Sequence, residues 1–128
     1  MKQSYSSGAK WEEIVAYRRA VRIDNLIEVA GTTAIRDGEV IGKADPYKQT
    51  VTCFEIIKEA IEYFGATMAN VIRTRIYVTN IQDWEEIGRA HKLFFDGINP
   101  ASTMVEVSGL IDPDLLVEIE VTAYLSKD

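Results

Sequence analysis

Three glutamates, Glu106, Glu118 and Glu120, alternate with Val105, Val107, Val117, Ile119 and Val121. Alternation of that kind places carboxylates on one face of a sheet and aliphatics on the other. A carboxylate fixed on a strand can act as a general base or position a water. It can equally pair with a cation across strands, and Arg73 and Arg75 are suitable partners. His91 is the only histidine, and its place beside Phe94 and Phe95 also suits a purely structural ring. Cys53 lies within a helical pattern, away from any evident base, and reads as a small core residue.

Other chemistries find less support in the residue types. No Cys/His cluster or carboxylate loop spacing suggests a metal site, and no cofactor is expected. Gly38 and Gly42 lack the strand, helix and Lys-Ser/Thr context of a phosphate loop. No nucleophile-elbow motif is present, although a dispersed Ser-His-Asp set remains open.

The elements that must position these residues can be read from periodicity. Residues 1–11 form a polar lead-in ending at Trp11. Residues 14–23 read as a strand with Val15, Tyr17, Arg19 and Val21 on one parity. Asp24-Asn25 is a turn signal joining it to a second strand over residues 26–30. Residues 31–44 contain three glycines and read as a loop. Asp45 and Pro46 open a helix as N-cap and first residue, and Gly65 closes it. Its buried stripe is Val51, Phe54, Ile57, Ile61 and Phe64.

After a short turn at residues 68–71, residues 72–79 form a strand with Ile72, Thr74, Ile76 and Val78 on the aliphatic side. A second helix over residues 83–96 carries Trp84, Ile87, His91, Phe94 and Phe95 on one broad face. Strands over residues 103–107 and 115–125 then flank a turn at residues 111–114, and are expected to neighbour each other.

The order β-β-α-β-α-β-β predicts an α+β fold, with a single mixed sheet and both helices on its aliphatic face. Tyr17, Arg19, Arg73, Arg75, Tyr77, Met104, Glu106, Glu118, Glu120 and Tyr124 are left for the other face. Tyr, Met and Arg are enriched at subunit interfaces, so that face is expected to pack on copies of the chain.

Size and charge bound the partners. The 128 residues form one expected domain, 47% hydrophobic and 27% charged, the balance of a soluble globular protein. A net charge of -6 opposes general affinity for nucleic acid. The basic run Arg18, Arg19, Arg22 sits beside Glu12 and Glu13 and reads as a solvated or interface strand. No apolar run is long enough to span a membrane, and residues 1–13 lack the apolar core of a signal peptide. With one cysteine, a cytoplasmic location is the default expectation.

A resemblance covers nearly the whole chain. Tyr17, the hairpin strand ending at Gly31, RTRIYVTNIQD from Arg73, and Phe94-Phe95 all match the Rid family (reactive intermediate deaminases, also called the YjgF or L-PSP endoribonuclease group). The most specific features are PAxxxVEVxxL from Pro100 and VEIE from Val117. The resemblance implies a chorismate-mutase-like fold, a homotrimer, and small-molecule clefts between subunits. Deaminating members hydrolyse enamine or imine forms of amino acids to 2-keto acids and ammonia. By position it assigns the ligand-binding tyrosine to Tyr17, the water-positioning glutamate to Glu118, and the backbone amide contacts to the vicinity of Gly31 and Met104.

The arginine that clamps the substrate carboxylate two residues after the motif's proline is Ser102 here. A hydroxyl cannot replace a guanidinium fork; losing such a pair removes ~2–3 kcal/mol, a factor of about 30 to 150. Ala30 lacks a hydroxyl common before the glycine, and Gly88 replaces an amide side chain, with His91 one turn beyond. The expectation is a divergent Rid subgroup whose cleft is lined by Ser102, Thr103, His91 and Glu118, with a ligand not anchored as an amino-acid-derived carboxylate. Its activity would be deaminase-like hydrolysis of a small enamine or imine. A non-catalytic metabolite-binding trimer is the alternative, and ribonuclease activity the third.

Overall fold

The computed structural model describes residues 1–126. In chain order the elements are β1 (Lys2–Tyr5), α1 (Lys10–Val15), β2 (Ala20–Ile23), β3 (Leu26–Thr32), β4 (Ile35–Arg36), β5 (Glu39–Val40), α2 (Pro46–Tyr63), β6 (Val71–Val78), α3 (Trp84–Phe95), β7 (Ala101–Glu106) and β8 (Val117–Tyr124). Six strands form one mixed sheet in the order β1-β2-β3-β8-β6-β7, while β4 and β5 make a separate small hairpin. The architecture is the expected α+β one.

α2 begins as its sequence dictates. The Asp45 side chain accepts a hydrogen bond from the Lys48 N–H at 3.0 Å, and Pro46 needs no partner at the first turn. Phe54, Ile57, Ile61 and Phe64 are buried, and Gly65 follows with φ 87°. α2 lies over β3 and β8, and α3 packs on α2. Phe95 meets Phe54 edge-on, with ring centroids 5.2 Å apart. The core between helices and sheet is completed by Ile27, Val29, Ile76, Val78, Val117, Ile119, Val121 and Ala123.

Several expectations are corrected. The N-terminal lead-in contains an edge strand, since β1 pairs antiparallel with β2. The strand expected over residues 14–23 is helical as far as Val15 and extended only from Ala20. At the start of that helix the buried Glu12 carboxylate accepts from the backbone and hydroxyl of Ser7, a local contact, and left-handed Ala16 then ends α1. Tyr17 therefore lies on a connection rather than on a strand. The 31–44 segment holds the β4–β5 hairpin.

The remaining corrections concern the sheet. β6 slips register between Val71 and Arg73, so Val71 enters the core and Ile72 is half exposed. β7 and β8 are not neighbours, because β6 lies between them and pairs parallel with β7 through the α3 crossover. Thr74, Ile76 and Val78 oppose Ser102, Met104 and Glu106, which puts those three on the helix side of β7. Ala101, Thr103 and Val105 take the other side. On this edge strand both faces are accessible enough that alternation alone does not specify which is inward.

Among the described residues the second sheet face has no long helix over it. It carries Glu118, Glu120, Arg75 and Tyr77 with the exposed apolar residues Ile23, Leu26, Val105 and Tyr124. No helix among the described residues is long and apolar enough to cross a membrane.

Candidate functional site

Glu118 is the centre of the site. β8 places it on the uncovered face, opposite Tyr77 of β6. On its other side, β3 loses register between Val29 and Thr32, so the backbone of Gly31 bulges beneath the carboxylate. A Cβ built on Gly31 would fall inside the volume of Glu118 Oε2. Glycine thus lets the carboxylate rest against the backbone. The constraint is close approach, since this residue does not have a positive φ, and a Cβ here would push the Glu118 carboxylate aside.

The bulge is held by Arg19, whose Nη1 donates to the Gly31 carbonyl and to Thr32 Oγ1, both at 2.8 Å. Tyr17 lies next to it, with its ring 5.8 Å from the guanidinium carbon. Trp11, Tyr17, Arg19, Gly31, Thr32 and Glu118 share the lining of one cleft of about 910 Å³.

The electrostatics single out the same residue. Burial pushes the Glu118 carboxyl above the usual glutamate range, Arg19 opposes that shift, and Glu120 adds to it. Neither Arg73 nor Arg75 forms an ion pair with Glu118 or Glu120 among the described residues. Glu120 instead accepts from the Tyr77 hydroxyl at 2.8 Å, a bond that raises the Tyr77 pKa. Glu118 has no hydrogen-bond donor from the protein among the described residues and stays available to a ligand or water.

Tyr17, Gly31 and Glu118 thus meet in one cleft, whereas Ser102, Thr103, Met104 and His91 lie apart from it within the chain. Thr103 is exposed on the uncovered face of β7, and Met104 packs against the core. Ser102 accepts from Thr74 Oγ1 at 2.7 Å, and the same Thr74 hydroxyl lies 2.9 Å from His91 Nε2. Burial lowers the His91 pKa, which favours the neutral ring. Cys53 is fully buried, and burial pushes its thiol far above the reactive range. No group of three or more His, Cys, Asp or Glu side chains among the described residues could hold a metal ion.

Sequence reading missed Arg19 and Thr74 as site residues. Arg19 sat in a basic run that suggested a solvated or interface strand, and it is buried within the chain itself. Thr74 was placed as an aliphatic-side position, and nothing in the sequence disclosed that its hydroxyl joins α3 to β7.

Comparison with known proteins gives consistent matches over most of the chain. The family model described as Endoribonuclease L-PSP matches residues 8–125. An uncharacterised protein of Streptomyces coelicolor is 43% identical over 118 residues, covering 92% of this chain and 88% of that protein. A RutC family protein of Pyrococcus abyssi is 34% identical over 110 residues, covering 84% and 85%. The crystal structure of a YjgF/YER057c/UK114 family member from Mycobacterium tuberculosis superposes with a TM-score of 0.89 at 46% identity, over 98% of this chain and 100% of that one.

Proposed function

From the premise that the chain belongs to the endoribonuclease L-PSP family, the YjgF/Rid group, we propose that it hydrolyses the C=N bond of a small imine or enamine-derived metabolite. The observation that carries this reading is Glu118, a half-buried carboxylate free of protein partners above the Gly31 bulge. In the proposed step Glu118 orients a water against the imine carbon and accepts one of its protons. A C–O bond forms as the C=N π pair moves to nitrogen. The protonated Glu118 gives that proton to the nitrogen to complete the carbinolamine. Its carboxylate then takes the carbinolamine hydroxyl proton and passes it to the same nitrogen as the C–N bond breaks. Ammonia leaves and the carbonyl forms, so imine and water are converted to carbonyl compound and ammonia without a cofactor. An imine is already electrophilic, so an ordinary carboxylate suffices as base.

The homotrimer belongs to this proposal. The uncovered sheet face, with its exposed Val105 and Tyr124, would be buried between subunits, and a neighbour's β7 would bring Ser102, Thr103 and Met104 toward the cleft. Ser102 supplies no positive charge there, so the usual clamp on an amino-acid-derived carboxylate is missing from that position.

Ammonia release from 2-iminobutyrate generated in situ tests the reading. Glu118→Ala is expected to abolish the protein-dependent rate while the assembly persists. Dissociation of the assembly would make Glu118 a structural residue. Retained ligand binding in a wild-type protein with no turnover would favour the metabolite-binding trimer. A wild-type rate equal to that of an arginine-bearing family member would overturn the idea that Ser102 sets this chain apart.

A further inference from the structure

Arg19 is more elaborate than a structural clamp requires. It is 7% exposed, and its two hydrogen bonds both leave from Nη1. Nε and Nη2 have no hydrogen-bond partner among the described residues. No carboxylate oxygen among those residues lies within 4.0 Å of its nitrogens. A guanidinium is charged at every accessible pH, and a buried charge without a close counter-ion is costly. The Gly31 carbonyl, the Thr32 hydroxyl and the Tyr17 ring offset part of that cost, and Glu12 and Glu118 act on it only from beyond contact. The edge left unengaged, Nε with Nη2, is the fork that receives a carboxylate through two parallel hydrogen bonds. Arg19 lines the cleft that contains Glu118.

We propose that Arg19 is the anion anchor of the cleft, its Nε–Nη2 edge holding the carboxylate of a small 2-oxo or 2-imino acid on the same subunit as Glu118. The inference rests on the hydrolytic reading above and revises the expectation that the ligand carries no anchored carboxylate. Arg19 and Glu118 both adjoin Gly31, one at its carbonyl and the other over its Cα. A ligand touching both is therefore short, with its reacting carbon next to its carboxylate. The positive charge that Ser102 lacks is in this way supplied from the opposite wall of the cleft.

Isothermal titration of 2-oxobutyrate and of its neutral amide, 2-oxobutanamide, into the full chain tests the assignment. Wild type is expected to prefer the carboxylate at least tenfold. Arg19→Gln is expected to weaken carboxylate binding at least tenfold while changing amide binding less than twofold. If Arg19→Gln does not fold, Arg19→Lys carries the test, because it keeps the charge and loses the fork; a fall of several-fold for the carboxylate alone is expected. Unchanged carboxylate affinity in the folded variant, or a wild-type preference for the amide, overturns the anchor and leaves the Glu118 reading standing. Binding of neither compound, with no Glu118-dependent turnover, overturns both.

Discussion

Glu118 sits where a carboxylate is poorly solvated, and the consequence for stability has a definite sign. Its raised pKa means that the fold tolerates the ionised form less well than water does. The associated stability is complete below the ordinary glutamate range and is lost as pH rises through the raised value. Glu118→Gln removes that loss, so the variant is expected to melt at or above the wild-type temperature at pH 7, with the difference shrinking toward pH 4. Its ammonia-release rate is expected to fall by about 10²-fold or more, the typical share of a positioned base. A variant less stable than wild type at pH 7 would contradict the penalty. His91 behaves in the opposite sense. Its lowered pKa makes its contribution complete above about 6.5 and lost as pH falls through the lowered value. His91→Gln is expected to cost stability at pH 7, and the gap between the urea midpoints of the two proteins should narrow as pH falls below about 6.5.

At the scale of elements, what the sequence disclosed was what local chemistry controls. Asp45-Pro46 and Gly65 bound α2 because capping and left-handed backbone are properties of a few adjacent residues. Asp45→Ala is accordingly expected to cost about 1 kcal/mol in a urea titration. α1 was illegible because Ile14 and Val15 continue an alternating pattern that reads as strand, whereas the helical turn runs through them and stops at left-handed Ala16. The inward face of β7 was hidden for a related reason: it follows from the parallel pairing with β6 and not from alternating side chains. The site divides along the same line. Glu118, Tyr17 and Gly31 were reachable through motif resemblance, while Arg19 became visible only when β2 and β3 brought it against the bulge. That bulge has its own expected outcome. Gly31→Ala forces the Glu118 carboxylate aside, so hydrolysis should drop sharply while circular dichroism retains the wild-type spectrum.

For the whole molecule, the decisive feature is a sheet covered by helices on one side only. Antiparallel sheets can present such a face to water, but this one carries Ile23, Leu26, Val105 and Tyr124 in exposed positions. Ile23, Leu26 and Tyr124 adjoin one another at one end of this face, and Val105 lies apart from them beside Tyr77. Exposed apolar patches are typical of association sites, so the face is expected to pack on copies of the chain. Light scattering on the purified protein is expected to give three times the 14.4 kDa of the chain. Val105→Glu is expected to shift the population toward monomer and to reduce hydrolysis with it. A wild-type monomer that is fully active would refute the intersubunit cleft.

The position of β8 within the sheet has a consequence for how the protein is made. β8 is synthesised after the other strands among the described residues, yet it lies between β3 and β6 and joins the two halves of the sheet. During translation those halves have no common partner, and their inner edges stay open until Val117–Tyr124 leaves the ribosome. The same eight residues bring Glu118. A nascent chain interrupted before β8 therefore lacks both its central strand and the Glu118 carboxylate, so no partly built form of this protein holds a finished cleft.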